Sequence, residues 1–301
     1  MKKLFTLALL LLILAPSFAC DICGCSSGNY FLGPFPQFKK HFFGVRYSIR
    51  SYESRVAGSE DEFSKDFYQS AELWGGWNVG KKWQLLAFVP YNINKQNSDD
   101  GVRTTSGLGD ISLIINHKIL DTRHTSDNGN RVSQQLWIGG GVKLPTGKFS
   151  PDELDIIPDA NNQAGTGSLD FIANAMYTLH INDWGINSDV NYKINEAAKD
   201  FRFGNRLNAS AFVFRSFANK KGTTTVNPNA GLMYEHLDAN TLTNAKIADT
   251  GGDALLTAAG VEVNFAKMAV GVNAQLPIAQ DFSNHQTKTN VQGMVHVSFL
   301  F

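Results

Sequence analysis

The feature that most constrains this chain is a two-residue alternation of apolar and polar side chains, which begins near His41 and runs to the last residue. Successive side chains in a strand point to opposite faces, so the pattern builds sheets with one apolar face. Phe43, Val45, Tyr47 and Ile49 alternate with Gly44, Arg46, Ser48 and Arg50. The same reading holds over 71–79, 83–91, 111–115, 136–142, 171–179, 184–194, 207–213, 226–234, 255–265, 268–278 and 295–301. That makes twelve strands, an even number. Helical periodicity is almost absent, and 27 Gly with 26 Asn argue against a helical bundle.

Tight gaps at 80–82, 182–183, 217–222 and 266–267 follow even strands, with only 121–132 loose. Gaps after odd strands are long, the longest near 146–167. Short turns at one end and long loops at the other predict a single twelve-stranded antiparallel β-barrel of the bacterial outer membrane, its short turns periplasmic. Two checks are independent of the strand assignment. Ile181 faces Trp184 across Asn182-Asp183, and Phe265 faces Met268 across Ala266-Lys267, all four on the apolar face. Phe43, Trp77, Trp83, Tyr177, Trp184, Phe265, Phe299 and Phe301 gather at the short-turn end facing outward, as an interfacial belt requires. A secreted β-sandwich also alternates, but it has no reason to set aromatics at one level. The ending Val295-His296-Val297-Ser298-Phe299-Leu300-Phe301 looks like the signal read by the barrel-assembly machinery, with Phe299 and Phe301 as its contacts. Arg215 and His117 fall on the lipid face near short-turn strand ends, where long side chains snorkel. Pro90, Pro145 and Pro277 are expected where strands become loop, because proline removes a ladder donor.

Residues 1–19 form a signal peptide: Lys2 and Lys3, an apolar run to Ala15, then Ser17-Phe18-Ala19 before a cut at Cys20. Export places residues 20–40 as a Cys-rich periplasmic segment and 41–301 as the barrel. Removing Lys2 and Lys3 leaves 25 basic against 27 acidic residues, an essentially neutral chain without the basic footprint of a nucleic-acid binder. No apolar run after Ala15 approaches the roughly 20 residues of a membrane helix.

Cys20, Cys23 and Cys25 are all the cysteines. Three thiols within six residues suit Cu(I) or Zn(II), with His41 a candidate fourth ligand. Oxidation to a Cys20–Cys23 or Cys20–Cys25 disulfide competes, as does lipidation of Cys20. The aromatic stretch 30–38 is expected either to plug the lumen or to lie on the membrane interface.

The polar face carries Arg46, Arg50, Lys118, Lys143, Lys193 and Arg206 against Glu72, Asp110, Asp170, Asp189, Glu235 and Glu262. A balanced lumen fits cross-linking ion pairs or a weakly selective pathway better than a one-sign selectivity ring. A hydrolase would need Ser, His and an orienting group at the outward face. Only His236 lies there near the long-loop end, with no Ser at matching depth on the same strand, so the reading is not an enzyme.

Three stretches then carry a resemblance: Gly107-Leu108-Gly109-Asp110, Gly141-Val142-Lys143-Leu144-Pro145-Thr146-Gly147-Lys148 and Gly165-Thr166-Gly167-Ser168-Leu169-Asp170. Over about 41–301 the chain resembles the outer-membrane barrel "transporter" family named for the meta-pathway of phenol degradation. The resemblance implies a barrel passing hydrophobic or aromatic compounds, and it brings no catalytic residues. The expectation is passive movement of a small solute, with soft-metal capture at the cysteines and a purely structural barrel as alternatives.

Overall fold

The computed structural model describes residues 40–55, 63–98, 101–150 and 160–301. The signal peptide, the three cysteines and the aromatic stretch 30–38 lie outside the described residues.

Twelve antiparallel strands close into a barrel: β1 (Phe42–Arg55), β2 (Phe63–Val79), β3 (Trp83–Ser98), β4 (Gly101–Leu108, resuming at Ile111–Thr125), β5 (Arg131–Leu144), β6 (Asp170–Ile181), β7 (Trp184–Ile194), β8 (Arg206–Arg215), β9 (Thr225–Leu237), β10 (Gly252–Asn264), β11 (Met268–Phe282) and β12 (Gln292–Leu300). Each strand pairs with the next, and β12 returns to β1 from Phe42↔Leu300 to Ile49↔Gly293. Closure leaves no sheet edge, which a spanning structure in lipid cannot tolerate. Leu73, Ile115, Val190, Leu232 and Val272 stand exposed on the outer face. So broad an apolar surface is stable only against lipid.

Both two-residue turn checks hold. Ile181 pairs with Trp184 around Asn182, whose φ of 54° suits a hairpin turn, and the Phe265 amide donates to the Met268 carbonyl at 2.7 Å. Seven of the eight expected belt aromatics, Phe43, Trp77, Trp83, Trp184, Phe265, Phe299 and Phe301, are exposed at the short-turn end, while Tyr177 is half-buried and donates its hydroxyl to Gln134 Oε1 at 3.2 Å. Phe43 stacks on Phe299 at 5.4 Å, and Phe301 meets Trp77 edge-on at 5.7 Å. Arg215 lies over the rings of Trp184 and Phe217, and His117 packs on Trp83.

The strands run further than the alternation suggests. Residues 92–107 read as loop but form a hairpin whose β3 and β4 arms pair from Tyr91↔Leu108 to Ser98↔Gly101. Likewise 121–132 is mostly ladder, with only 126–130 between β4 and β5. Beyond the membrane the outer face need not be apolar, so the alternation fades while pairing continues. Two of the three prolines lie inside strands and not at the strand-to-loop boundaries expected for them. Pro145 does follow the end of β5, but Pro90 sits inside β3 opposite the break at 109–110, its carbonyl accepting the Gly109 amide at 2.8 Å. Pro277 lies inside β11 where the register with β10 shifts, a bulge that absorbs the missing donor.

At the long-loop end, Phe201–Arg202, Thr241–Leu242 and Ala245–Lys246 form a small second sheet. Phe201 and Phe203, with Ala160, make a buried cluster there, packed by Phe149, Leu242 and Ile247. Three connections thus share one apolar core.

Candidate functional site

The inward faces of the strands form the site. All twelve charged residues expected to line the interior lie on the inward register, ten of them buried and Arg50 and Lys118 half-buried. Arg46 and Glu72 pair at 2.5 Å on β1 and β2. The Arg46 guanidinium also lies over the rings of Trp74 and Phe88 at 5.3 and 5.5 Å. Arg206 and Glu235 approach to 3.7 Å, and Glu262 pairs with His296 at 3.5 Å. Asp189 accepts from the Ser210 hydroxyl and from Asn191 Nδ2. Lys193 faces Arg206 across the β7–β8 ladder. Lys118 lies nearer the short-turn rim, where it meets Asp121 at 2.9 Å and the Trp137 ring at 4.8 Å.

The largest polar junction joins the three stretches that carry the resemblance. Lys143, 1% exposed, projects from β5 between Asp110 Oδ2 at 2.6 Å and Asp170 Oδ2 at 2.9 Å. Its ammonium also donates to Thr166 Oγ1 and, at 3.0 Å, to the Ser168 carbonyl. Asp110 collects the Gly147 amide at 3.0 Å and the Thr166 amide at 2.9 Å. Asp170 accepts from Ser168 Oγ at 2.7 Å and from the Glu196 amide at 3.1 Å. Asn92 and Asn94 add amide donors to the carbonyls of Ala164 and Gln163, both at 2.8 Å. The segment 160–168 of the longest connection is therefore bonded to the inside of β3, β4, β5 and β6. Gly147 and Gly165 let two backbones cross, since a Cβ on Gly165 would lie 2.7 Å from the Gly147 Cα.

The interior is also apolar, which the list of lining charges does not show. Phe42, Trp74, Leu86, Phe88, Ile114, Trp137, Ile172 and Met176 form one buried cluster on the inward faces of β1 to β6. Phe212, Met233, Leu237, Ala254, Leu256, Ala258, Phe282 and Met294 form another on β8 to β12. The signal was present: in Leu85-Leu86-Ala87-Phe88 both faces are apolar.

The asparagines find their place here too. Across eight strands the register runs Asn78↔Gln84↔Asn116↔Gly139↔Asn174↔Asn191↔Asn208↔Glu235. Asn78 is one residue from the short-turn end of β2, and Glu235 is two from the long-loop end of β9. This single row, with a carboxamide at six of its eight positions, therefore climbs the inner wall from one mouth towards the other.

His236 engages two carboxylates, Asp253 at 2.8 Å through Nδ1 and Asp238 at 3.3 Å through Nε2. A hydrolytic triad would instead require a nucleophile on one of those nitrogens. His41 uses Nδ1 to accept the Asn78 amide at 3.0 Å and stacks on Trp77 in the rim. Among the described residues, no three His, Cys, Asp or Glu side chains are arranged to hold a metal ion.

No protein-family profile matches the chain, and no curated protein matches it. Solved structures do. The COG4313 outer membrane channel from Pseudomonas putida F1 shares 15% identity over 87% of this chain and 96% of its own, with a TM-score of 0.59. The β domain of the Bordetella autotransporter BrkA shares 12% over 87% and 100%, with a TM-score of 0.46. A deletion mutant of the TodX monoaromatic hydrocarbon channel shares 9% over 95% and 97%, with a TM-score of 0.41. The first likeness establishes the architecture: this chain has the fold of an outer-membrane β-barrel.

Proposed function

We propose that the barrel is an outer-membrane channel for passive movement of a small, uncharged, largely apolar solute, without energy coupling. The observation that carries this is the composition of the inner wall. Most of its charges are held in pairs of opposite sign within the wall, while apolar clusters and carboxamides make up much of the rest. Such a surface presents no one-sign field to attract an ion, but it offers apolar contact and neutral hydrogen bonds. The resemblance to the phenol meta-pathway barrel family and the likeness to an outer membrane channel support the same reading.

Proteoliposome flux tests it. The mature chain is expected to speed equilibration of cyclohexanol more than that of sodium or chloride, relative to protein-free vesicles. Faster ion flux than alcohol flux, or no protein-dependent flux of either, would overturn it.

A further inference from the structure

We infer that Asn116, Asn174 and the glycine between them, Gly139, form a binding station for a neutral solute carrying one hydroxyl or carbonyl group on an apolar body. The inference rests on the channel reading above and names the solute class. Asn116 on β4 and Asn174 on β6 are register partners of Gly139 on β5, so both side chains flank the same inward point. The wall has no side chain there. A Cβ on Gly139 would overlap Asn116 Oδ1 and lie 2.7 Å from Asn174 Oδ1, so the two carboxamides converge over the glycine.

These amides are buried, Asn116 at 0% and Asn174 at 4% exposure, yet neither the oxygen nor the nitrogen of either has a hydrogen-bond partner among the described residues. Gln84 Oε1, the next group along the row, is also buried without one. A buried amide left unpaired costs about 1–3 kcal/mol, so this many in one patch need an explanation. Each carboxamide offers two donors and an oxygen acceptor, and a half-turn about χ2 exchanges the face it presents. A hydroxyl that parts the two side chains can donate to one and accept from the other.

The surroundings decide what the rest of the ligand is. Ile114 lies next inward to Asn116 on β4, Ile172 and Met176 flank Asn174 on β6, and Trp137 precedes Gly139 on the inward face of β5; all four belong to the same buried apolar cluster. A polar pair enclosed by aliphatic and aromatic surface matches an amphipathic molecule rather than a sugar or an ion. No charged residue of the lining falls within this register row between Asn78 and Asn208.

Calorimetric titration of cyclohexanol into the full mature chain in detergent micelles tests the station, with an Asn116→Leu/Asn174→Leu double variant in the same micelles. Loss of heat-resistant electrophoretic mobility would expose a misfolded variant, in which case Asn116→Leu alone is compared. The expected result is saturable binding by the wild type, weakened about thirtyfold in the double variant by loss of two hydrogen bonds. Equal affinity for both chains, or no saturable binding by the wild type, overturns the station. Cyclohexanol flux, measured on both chains, separates this from the channel reading. Wild-type flux without a binding difference sinks only the station, and a binding difference without flux sinks only the channel.

Discussion

Two polar groupings sit on the same three strands, β4, β5 and β6, a few residues apart, and they are built on opposite principles. The junction of Asp110, Lys143 and Asp170 is densely bonded: its ammonium has four oxygen neighbours, and its carboxylates collect backbone amides and hydroxyls besides. The pair Asn116 and Asn174 is equally buried and has none of this. Burial alone does not separate them; the number of polar contacts each makes does. A finished polar network fixes structure, here by tying the segment 160–168 to the wall. An unfinished one in a native interior is a reason to look for a ligand.

The largest effect is expected from unbalancing the densely bonded junction. Lys143→Met leaves Asp110 and Asp170 facing each other without their cation, and breaking a buried pair from one side costs about 3–5 kcal/mol. The expected outcome is a fall of that size in the urea stability of the folded barrel in micelles. Adding Asp110→Asn and Asp170→Asn to the lysine change should recover part of it, because the uncompensated charges are gone. A fall below about 1 kcal/mol for Lys143→Met would mean the junction does not hold the wall together.

A smaller perturbation acts on the crossing rather than the charges. Gly165→Ala places a Cβ 2.7 Å from both the Gly147 Cα and Asp110 Oδ1, and two backbones cannot yield as a side chain can. Overpacking of this kind costs about 1–3 kcal/mol. The segment should loosen while the strands remain, so limited proteolysis is expected to nick 145–169 faster than in the wild type, with barrel mobility on gels unchanged. Unchanged nicking would show that the contact relaxes locally.

The same contrast separates what the sequence shows from what only the folded barrel shows. Alternation exposes whatever lipid selects, so Val45, Leu73 and Ile115 marked strands and faces, and the Val79–Trp83 and Ile181–Trp184 turns marked the short-turn end. The extramembrane hairpin over 92–107 stayed hidden because nothing selects its outer face. Asp110, Lys143 and Asp170 were readable as lining charges. Their meeting was not, because it depends on a connection folding inward, and Thr166 and Ser168 look like ordinary loop residues. Trp74, Phe88 and Trp137 interrupt the polar face, a signal visible in the sequence once both faces are read together. The row of asparagines exists only in the register between strands, which no single segment contains.

The smallest expected effect is the most discriminating. If Asn116 is an unfinished group, removing its polarity should cost the fold nothing. Replacing a buried, unpaired amide by a hydrocarbon of similar size relieves a desolvation penalty, which makes the change neutral or stabilising by about 1–2 kcal/mol. Asn116→Leu is therefore expected to leave the urea midpoint unchanged or raise it, in the same assay in which Lys143→Met lowers it. Two buried polar residues on neighbouring strands would then answer truncation with opposite signs. A loss above about 2 kcal/mol for Asn116→Leu would show that its carboxamide is held by the wall, and the contrast between a structural junction and an open binding station would collapse.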